Sequence, residues 1–514
     1  MSDEQKLLKL IAQVEEVSPR LVDSWQAMAI VESLGYTDRI IKEEFGFADV
    51  LEIGGYIYRQ NNPVLPNKPT ARLAINWQKT IITELYAFLE QFSRSFVYAI
   101  PLISLLILGS AESNSTWKFI SPQLAASFTL ATLASLITSG GFVQAIARRG
   151  EFYLGLGFPQ QARRACISLL GLGMLTSFIL AIFGTWFGFY RNLFADEYLI
   201  LGAIYYLVLS LLWMLLSILS IQWVWGTPLT LIGLTGLFLL LKFKIALGAL
   251  EAQIVAIFFT LIGSFILIWV LFKRQKIDSP AGEKIELPDL SATVYLLTPF
   301  FSYGIVYFCF IFADRLVAGW SVDAASGLIF VIDSAYQRAM DLALLNFLLA
   351  VPLSEYLAYR LIRYWYKKAK VVTFENMANL SKQLNLVYWL LMGIIFLFFA
   401  LLVTFIVGIP TPQPWATIDT SLSLFGCLGY LFLVMGLLNA VVLFSLNLTS
   451  AAIASLFPSL IVNFIVGYIA ANAIAPNWAV LGLVMGSAVF MFLSHRQVLK
   501  AIKNPDYAYY LGGY

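Results

Sequence analysis

Seven ionisable side chains crowd one stretch of an otherwise apolar chain. Between Phe312 and Arg360 stand Asp314, Arg315, Asp323, Asp333, Arg338, Asp341 and Glu355. Arg338 and Asp341 are three apart, so they share a helix face and can pair within the helix. Asp333 is turned from Asp341 by about 80° at 3.6 residues per turn, which makes Asp333, Arg338 and Asp341 one broad stripe. Ile332, Ala339, Ala343, Phe347 and Ala350 lie on the opposite face, apolar and mostly small, as close packing on another helix requires. Two kinds of chemistry fit the stripe. It lines a wet cavity, where arginine meets a hydroxyl-rich or anionic substrate and the carboxylates balance it or take a proton, or it is an ion-pair network that fastens two helices. Asp314-Arg315 reads as a pair near the end of the preceding helix, at the interface, with Asp323 beyond it.

A second basic group, Arg148, Arg149, Arg163 and Arg164, flanks the loop GEFYLGLGFPQQ. It anchors the loop on the cytoplasmic side, or its guanidinium forks form a gate or grip lipid phosphate. No nucleotide site is present: there is no GxxxxGK[ST], and Gly150, Gly155 and Gly157 lack the lysine and the preceding strand. The single histidine, His495, stands beside Arg496 and reads as an interfacial anchor. Cys166, Cys309 and Cys427 are far apart in apolar segments and read as packing residues. No catalytic constellation is evident, so an enzyme is not expected, nor a cofactor, a metal or a nucleic-acid partner. Any transport work must draw on an ion gradient, on polymerisation of the substrate or on a separate partner.

The elements that carry these residues follow from composition. The chain is 60% hydrophobic and 12% charged, too little polar surface for a soluble domain. A span needs about 20 mainly apolar residues, and twelve such runs are centred near 103, 134, 176, 211, 235, 261, 303, 341, 397, 433, 461 and 485. Lysine and arginine gather in alternate loops: Arg148 to Arg164, Lys273 to Lys284, Arg360 to Lys370, and the tail with Arg496, Lys500 and Lys503. Both termini are therefore expected in the cytoplasm of a multi-pass protein of the inner or plasma membrane. Loop lengths and charges in the first six spans are echoed in the second six, the pattern of a parallel repeat. Gly140-Gly141 and Pro352 are candidate kinks.

Residues 1–90 are different, with 13 acidic and 9 basic side chains, net −4, against +7 for the rest. The spacing of Leu7, Leu8, Ile11 and Val14 predicts a helix. Ser18-Pro19 is a candidate start of a second helix and Gly35 its stop; shorter helices follow over 37–45 and 48–59. We divide the chain into a cytoplasmic helical module (1–70), an amphipathic connecting helix (71–94), a first six-helix bundle (95–275), a linker (276–292), a second six-helix bundle (293–500) and a tail (501–514).

Three segments resemble a known group. FADRLVAGW ends the seventh span with an acidic-basic pair, and DSAYQRAMDLALLNFLLAVPLSEY opens the eighth with polar residues before a proline-containing apolar run. SGGFVQAIARR, Ser139 to Arg149, closes the second. With twelve spans in two halves, these resemble the multidrug/oligosaccharidyl-lipid/polysaccharide (MOP) flippase superfamily, most of all its Pel-type exopolysaccharide exporters. The N-terminal module departs from that pattern. The resemblance implies an all-α transporter that exports a polysaccharide or lipid-linked glycan by alternating access. Asp333, Arg338 and Asp341 would line the cavity, with Asp314 and Arg315 at its outer end and Arg148, Arg149, Arg163 and Arg164 at its cytoplasmic mouth. The expected partners are the glycan, membrane lipids and, through the module, polysaccharide-synthesis proteins. An ion-coupled drug or metabolite antiporter and a membrane scaffold are the competing expectations.

Overall fold

The computed structural model describes residues 3–18, 21, 23–61, 122–274, 290–321, 330, 333–369, 372, 376–408 and 420–511, with a few positions between 82 and 92. The chain forms two compact units, Met1–Leu85 and Tyr86–Tyr514. The span expected near 103, Asp323, the 276–289 part of the linker and most of the 71–94 helix lie outside the described residues.

The first unit contains α1 (Asp3–Val17), α2 (Ser24–Ser33), α3 (Asp38–Glu44) and α4 (Val50–Asn61). Leu10, Val14, Ala27, Val31, Ile41, Val50, Ile53 and Ile57 are buried together, so the module has a core of its own. Gly35 (φ +91°) and Gly46 (φ +74°) take the left-handed backbone that ends α2 and separates α3 from α4. The start of α2 is not at Ser18-Pro19. Asp23 is the N-cap, its Oδ1 accepting from the Gln26 amide at 2.7 Å, because an aspartate immediately before the first turn satisfies an otherwise orphaned N–H. Asp23→Ala is expected to cost about 1 kcal/mol, read as roughly fivefold faster amide exchange across α2 with α4 unaffected.

The second unit is all helical among its described residues. Its helices are α5 (Pro122–Gly155), α6 (Pro159–Arg191), α7 (Asp196–Gln222), α8 (Gly226–Phe243), α9 (Ala249–Arg274), α10 (Leu290–Ser321) and α11 (Ser334–Ala369). They continue with α12 (Met377–Gly408), α13 (Thr420–Ser445), α14 (Thr449–Ala473), α15 (Val480–Lys503) and a short α16 (Pro505–Leu511). Eleven of these, α5 to α15, are long and apolar enough to cross a membrane. Their outward faces carry large apolar side chains: Phe178, Ile182, Phe183 and Trp186 on α6, Phe258, Ile262, Phe265 and Trp269 on α9, and Leu397, Leu401 and Phe405 on α12. Exposed to water, such bands would drive aggregation; against lipid they are the expected surface.

In the first half α5, α6 and α9 converge on α7, with Met214, Leu215, Ile218 and Leu219 buried against Phe142, Ile146, Cys166 and Ile268. In the second half α13 packs on α11 and α15, and α15 also packs on α14. Glycines allow that approach. A methyl built on Gly486 of α15 would meet the Asn463 Cβ at 2.7 Å and the Ser459 carbonyl oxygen at 2.9 Å.

The halves meet on α10, which packs on α5 as well as on α14. Gly140 and Gly141, candidate kinks, are instead the crossing point. A methyl on Gly304 would run into the Gly140 carbonyl, and one on Gly141 would meet the Phe301 ring at 2.8 Å. Pro352 lies inside the continuous helix α11.

Candidate functional site

α10 and α11 bring together the charges that the sequence spaced 26 residues apart. Asp314 and Arg315 are adjacent on α10 and so point about 100° apart. Gln337 and Asp341, four apart, share one face of α11. The Arg315 Nη1 donates to both, at 2.8 Å to Gln337 Oε1 and 2.7 Å to Asp341 Oδ1. Tyr336 turns its hydroxyl the other way and donates to Asp314 Oδ2 at 2.9 Å. Tyr430, from α13, closes the group and brings its phenol into the field of Arg315. Asp314 is fully buried, the Arg315 side chain is 8% exposed and that of Asp341 29%.

This differs from the sequence expectation in three ways. Asp314-Arg315, expected as an interfacial pair, is buried in protein at the centre of the cluster, covered by side chains of α11. Asp333 is not deep in a helix. It precedes α11 as its cap, half-buried, with Oδ1 accepting from the Ala335 amide at 2.8 Å. The ion pair of Asp341 runs to Arg315 on the neighbouring helix rather than along α11, and Arg338 is on the exposed side. Ala339, Ala343, Phe347 and Ala350 are buried, and Ala343 and Met340 lie against Gly426 of α13.

The cluster holds two carboxylates and one guanidinium and leaves hydrogen-bonding capacity unused. Among the described residues, Asp314 Oδ1, Arg315 Nε and Arg315 Nη2 have no partner in good hydrogen-bond geometry, the Tyr430 phenol standing beside the guanidinium. A network whose role is to fasten helices gains from having every member satisfied, since each orphaned buried group costs about 1–3 kcal/mol. Unused donors and acceptors beside a strong ion pair are what an exchange of partners requires. Tyr336, Gln337 and Tyr430 were not singled out from the sequence. Gln337 carried a signal, its four-residue spacing from Asp341; Tyr430 carried none.

The four arginines expected at a cytoplasmic mouth lie at the end of α5 and the start of α6. Arg148 is exposed, its guanidinium 5.1 Å from the centre of the Phe300 ring on α10. Arg149 is buried against Tyr153 and Phe152. Arg163 and Arg164 are exposed, the former 5.9 Å from the Phe272 ring of α9. His495 is more than an interfacial anchor. Its Nδ1 is 2.7 Å from the Tyr388 hydroxyl, which donates to Asn439 Oδ1 at 2.8 Å. Asn439 in turn donates to Ser494 Oγ at 3.1 Å, so three helices, α12, α13 and α15, share one polar chain.

Eleven membrane-length helices around a buried charge cluster define a polytopic α-helical membrane protein, and the fold is that of the MATE transporters of the MOP superfamily. The chain is similar to a multidrug resistance MATE family transporter of that superfamily solved in an outward-facing conformation, at 13% identity and a TM-score of 0.54 over 81% of this chain and 96% of that one. It is similar to the eukaryotic MATE transporter AtDTX14, at 14% identity and 0.52 over 83% and 99%. A MATE solved in complex with MaD5 matches at 14% identity and 0.54 over 81% and 96%. No protein-family model matches the chain, and no curated protein matches it.

Proposed function

We propose that the chain is a flippase or exporter that moves a polysaccharide, or a lipid-linked precursor of one, across the cell membrane by alternating access between its two halves, with both termini in the cytoplasm. The observation that carries this reading is the unsaturated ion-pair cluster of Asp314, Arg315 and Asp341, set where α10 and α11 meet. An ionised side chain costs about 2.5–3.5 kcal/mol at mid-bilayer even on the lenient insertion scale, so three in one cluster argue for a task beyond packing. In this reading the Arg315 fork meets hydroxyl or anionic groups of the glycan as its bond to Asp341 opens. The carboxylate set free takes a proton or stays balanced by Tyr336 and Gln337. Arg338 and Asp333, at the end of α11, guide substrate to the cluster, and Arg148 and Arg149 stand at the opposite mouth. The acidic N-terminal module docks polysaccharide-synthesis proteins.

The measurement is cell-surface polysaccharide in cells carrying Asp314→Asn or Asp341→Asn at wild-type membrane levels. We expect at least a tenfold loss of export in each, and normal export in both would refute the reading. The likeness to a multidrug resistance transporter favours a second reading, ion-coupled efflux of small molecules. Loss of cationic-dye efflux in the same variants, with polysaccharide unchanged, selects it. Deleting residues 1–70 tests a scaffold role, which fails if the shortened chain still moves substrate.

A further inference from the structure

Arg149 is a largely buried residue whose guanidinium meets no anion among the described residues. It is 8% exposed, its guanidinium lies 4.8 Å from the Tyr153 ring centre and 5.4 Å from that of Phe152, and among the described residues nothing accepts a hydrogen bond from it. Ring faces return about 0.5–2 kcal/mol to a cation and leave its in-plane N–H donors for another acceptor. Other polar groups at this end of the first half are also unpaired. The Tyr153 hydroxyl and both ends of the Gln222 amide are buried without a partner among the described residues. Two of these elements touch beside Arg149. A methyl built on Gly150 would meet Ile221, the residue before Gln222, at 2.7 Å and Cys166 of α6 at 3.1 Å. The sequence neighbours of Arg149 and Gln222 thus meet where α5, α6 and α7 come together.

The adjoining ends of α6 and α9 are cationic. Arg163 and Arg164 lie near the N-terminus of α6, where the helix dipole disfavours positive charge unless an anion is near. On α9, Arg163 reaches Phe272, and Lys273 lies 5.1 Å from the Trp269 ring centre. Glu151 is the acidic side chain of this turn, exposed and in the field of Arg148, so it does not neutralise Arg149. A planar guanidinium held on aromatic faces, with unspent donors beside it, matches the oxygens of a phosphate in forked geometry.

We propose that this end of the first half is a phosphate-binding site with Arg149 as its principal ligand, the phosphate being that of an anionic lipid headgroup or a free ion. The site stands apart from the Arg315 cluster, and its test involves no transport. Thermal unfolding of the purified full-length chain is followed in detergent with added phosphatidylglycerol, phosphatidylcholine or inorganic phosphate. Phosphatidylglycerol, inorganic phosphate or both should raise Tm beyond the effect of phosphatidylcholine. Arg149→Gln should raise the half-effect concentration at least tenfold, and Arg149→Lys, which keeps the charge and loses the fork, by less. A response to phosphatidylglycerol alone assigns the headgroup, and an equal response to inorganic phosphate assigns the free ion. If Arg149→Gln is not recovered folded, Arg149→Lys carries the test. The proposal is overturned if wild type responds to neither phosphate source, or if the folded variant responds at the wild-type concentration.

Discussion

Arg315→Met is expected to lower the stability of the membrane unit more than any other single charge removal. Among the described residues it takes the one cation from a site that then holds two carboxylates, Asp314 fully buried and Asp341 29% exposed on its side chain. Removing one partner of a fully buried pair costs about 3–5 kcal/mol; with Asp341 partly exposed, the lower end applies. The companion variant is Arg315→Met with Asp341→Leu. Replacing both members of a buried pair by apolar groups of similar size is often neutral, so the double variant should recover part of the lost stability, the rest being the cost of Asp314 left with its bond from Tyr336 alone. Equilibrium unfolding of the purified variants gives the coupling. A double variant as unstable as the single would mean that the pair does not hold α10 to α11.

Gly304→Val is expected to be nearly as damaging for a steric reason. At the crossing of α5 and α10 a methyl on Gly304 meets the Gly140 carbonyl, and one on Gly140 meets the Phe308 ring and the Gly304 carbonyl. Backbone cannot rotate aside as a flexible side chain can, so the helices must separate. Overpacking costs about 1–3 kcal/mol, and we expect the upper end, seen as a lower Tm and less folded protein in the membrane. Gly393 on α12 is the control, because nothing lies within 4 Å of a methyl built there. Gly393→Ala should be neutral or slightly stabilising, by up to about 1 kcal/mol from helix propensity. Equal losses from the two substitutions would show that the crossing is not the close contact described.

The class of fold was legible because hydropathy states it directly. Runs of about 20 apolar residues could hardly be other than spans, and even the weakly marked segment around 235, crowded by Lys242 and Lys244, forms α8. The charged stripe was legible as a helix face but not as a site. Helical periodicity says which residues share a face and nothing about which helix covers it, so Asp341 was matched with Arg338 three residues away rather than with Arg315 on α10. The place of Asp333 along the helix differs for a related reason. A span was centred on Asp341, whereas Asp333 caps α11 and the helix runs on to Ala369. The cap was readable in hindsight from Asp333-Ser334, since aspartate before a helix start is a standard N-cap. Gly140-Gly141 read equally well as a hinge or a contact, because small residues permit both; only the position of Gly304 decides.

The central claim is that the Arg315–Asp341 pair takes part in transport rather than only fastening α10 to α11. Cell-surface polysaccharide in cells carrying the Arg315→Met, Asp341→Leu double variant, at wild-type membrane levels and with part of the stability restored, tests it most directly. The account predicts export at background. Export at the wild-type level would contradict it and leave the pair a structural tie.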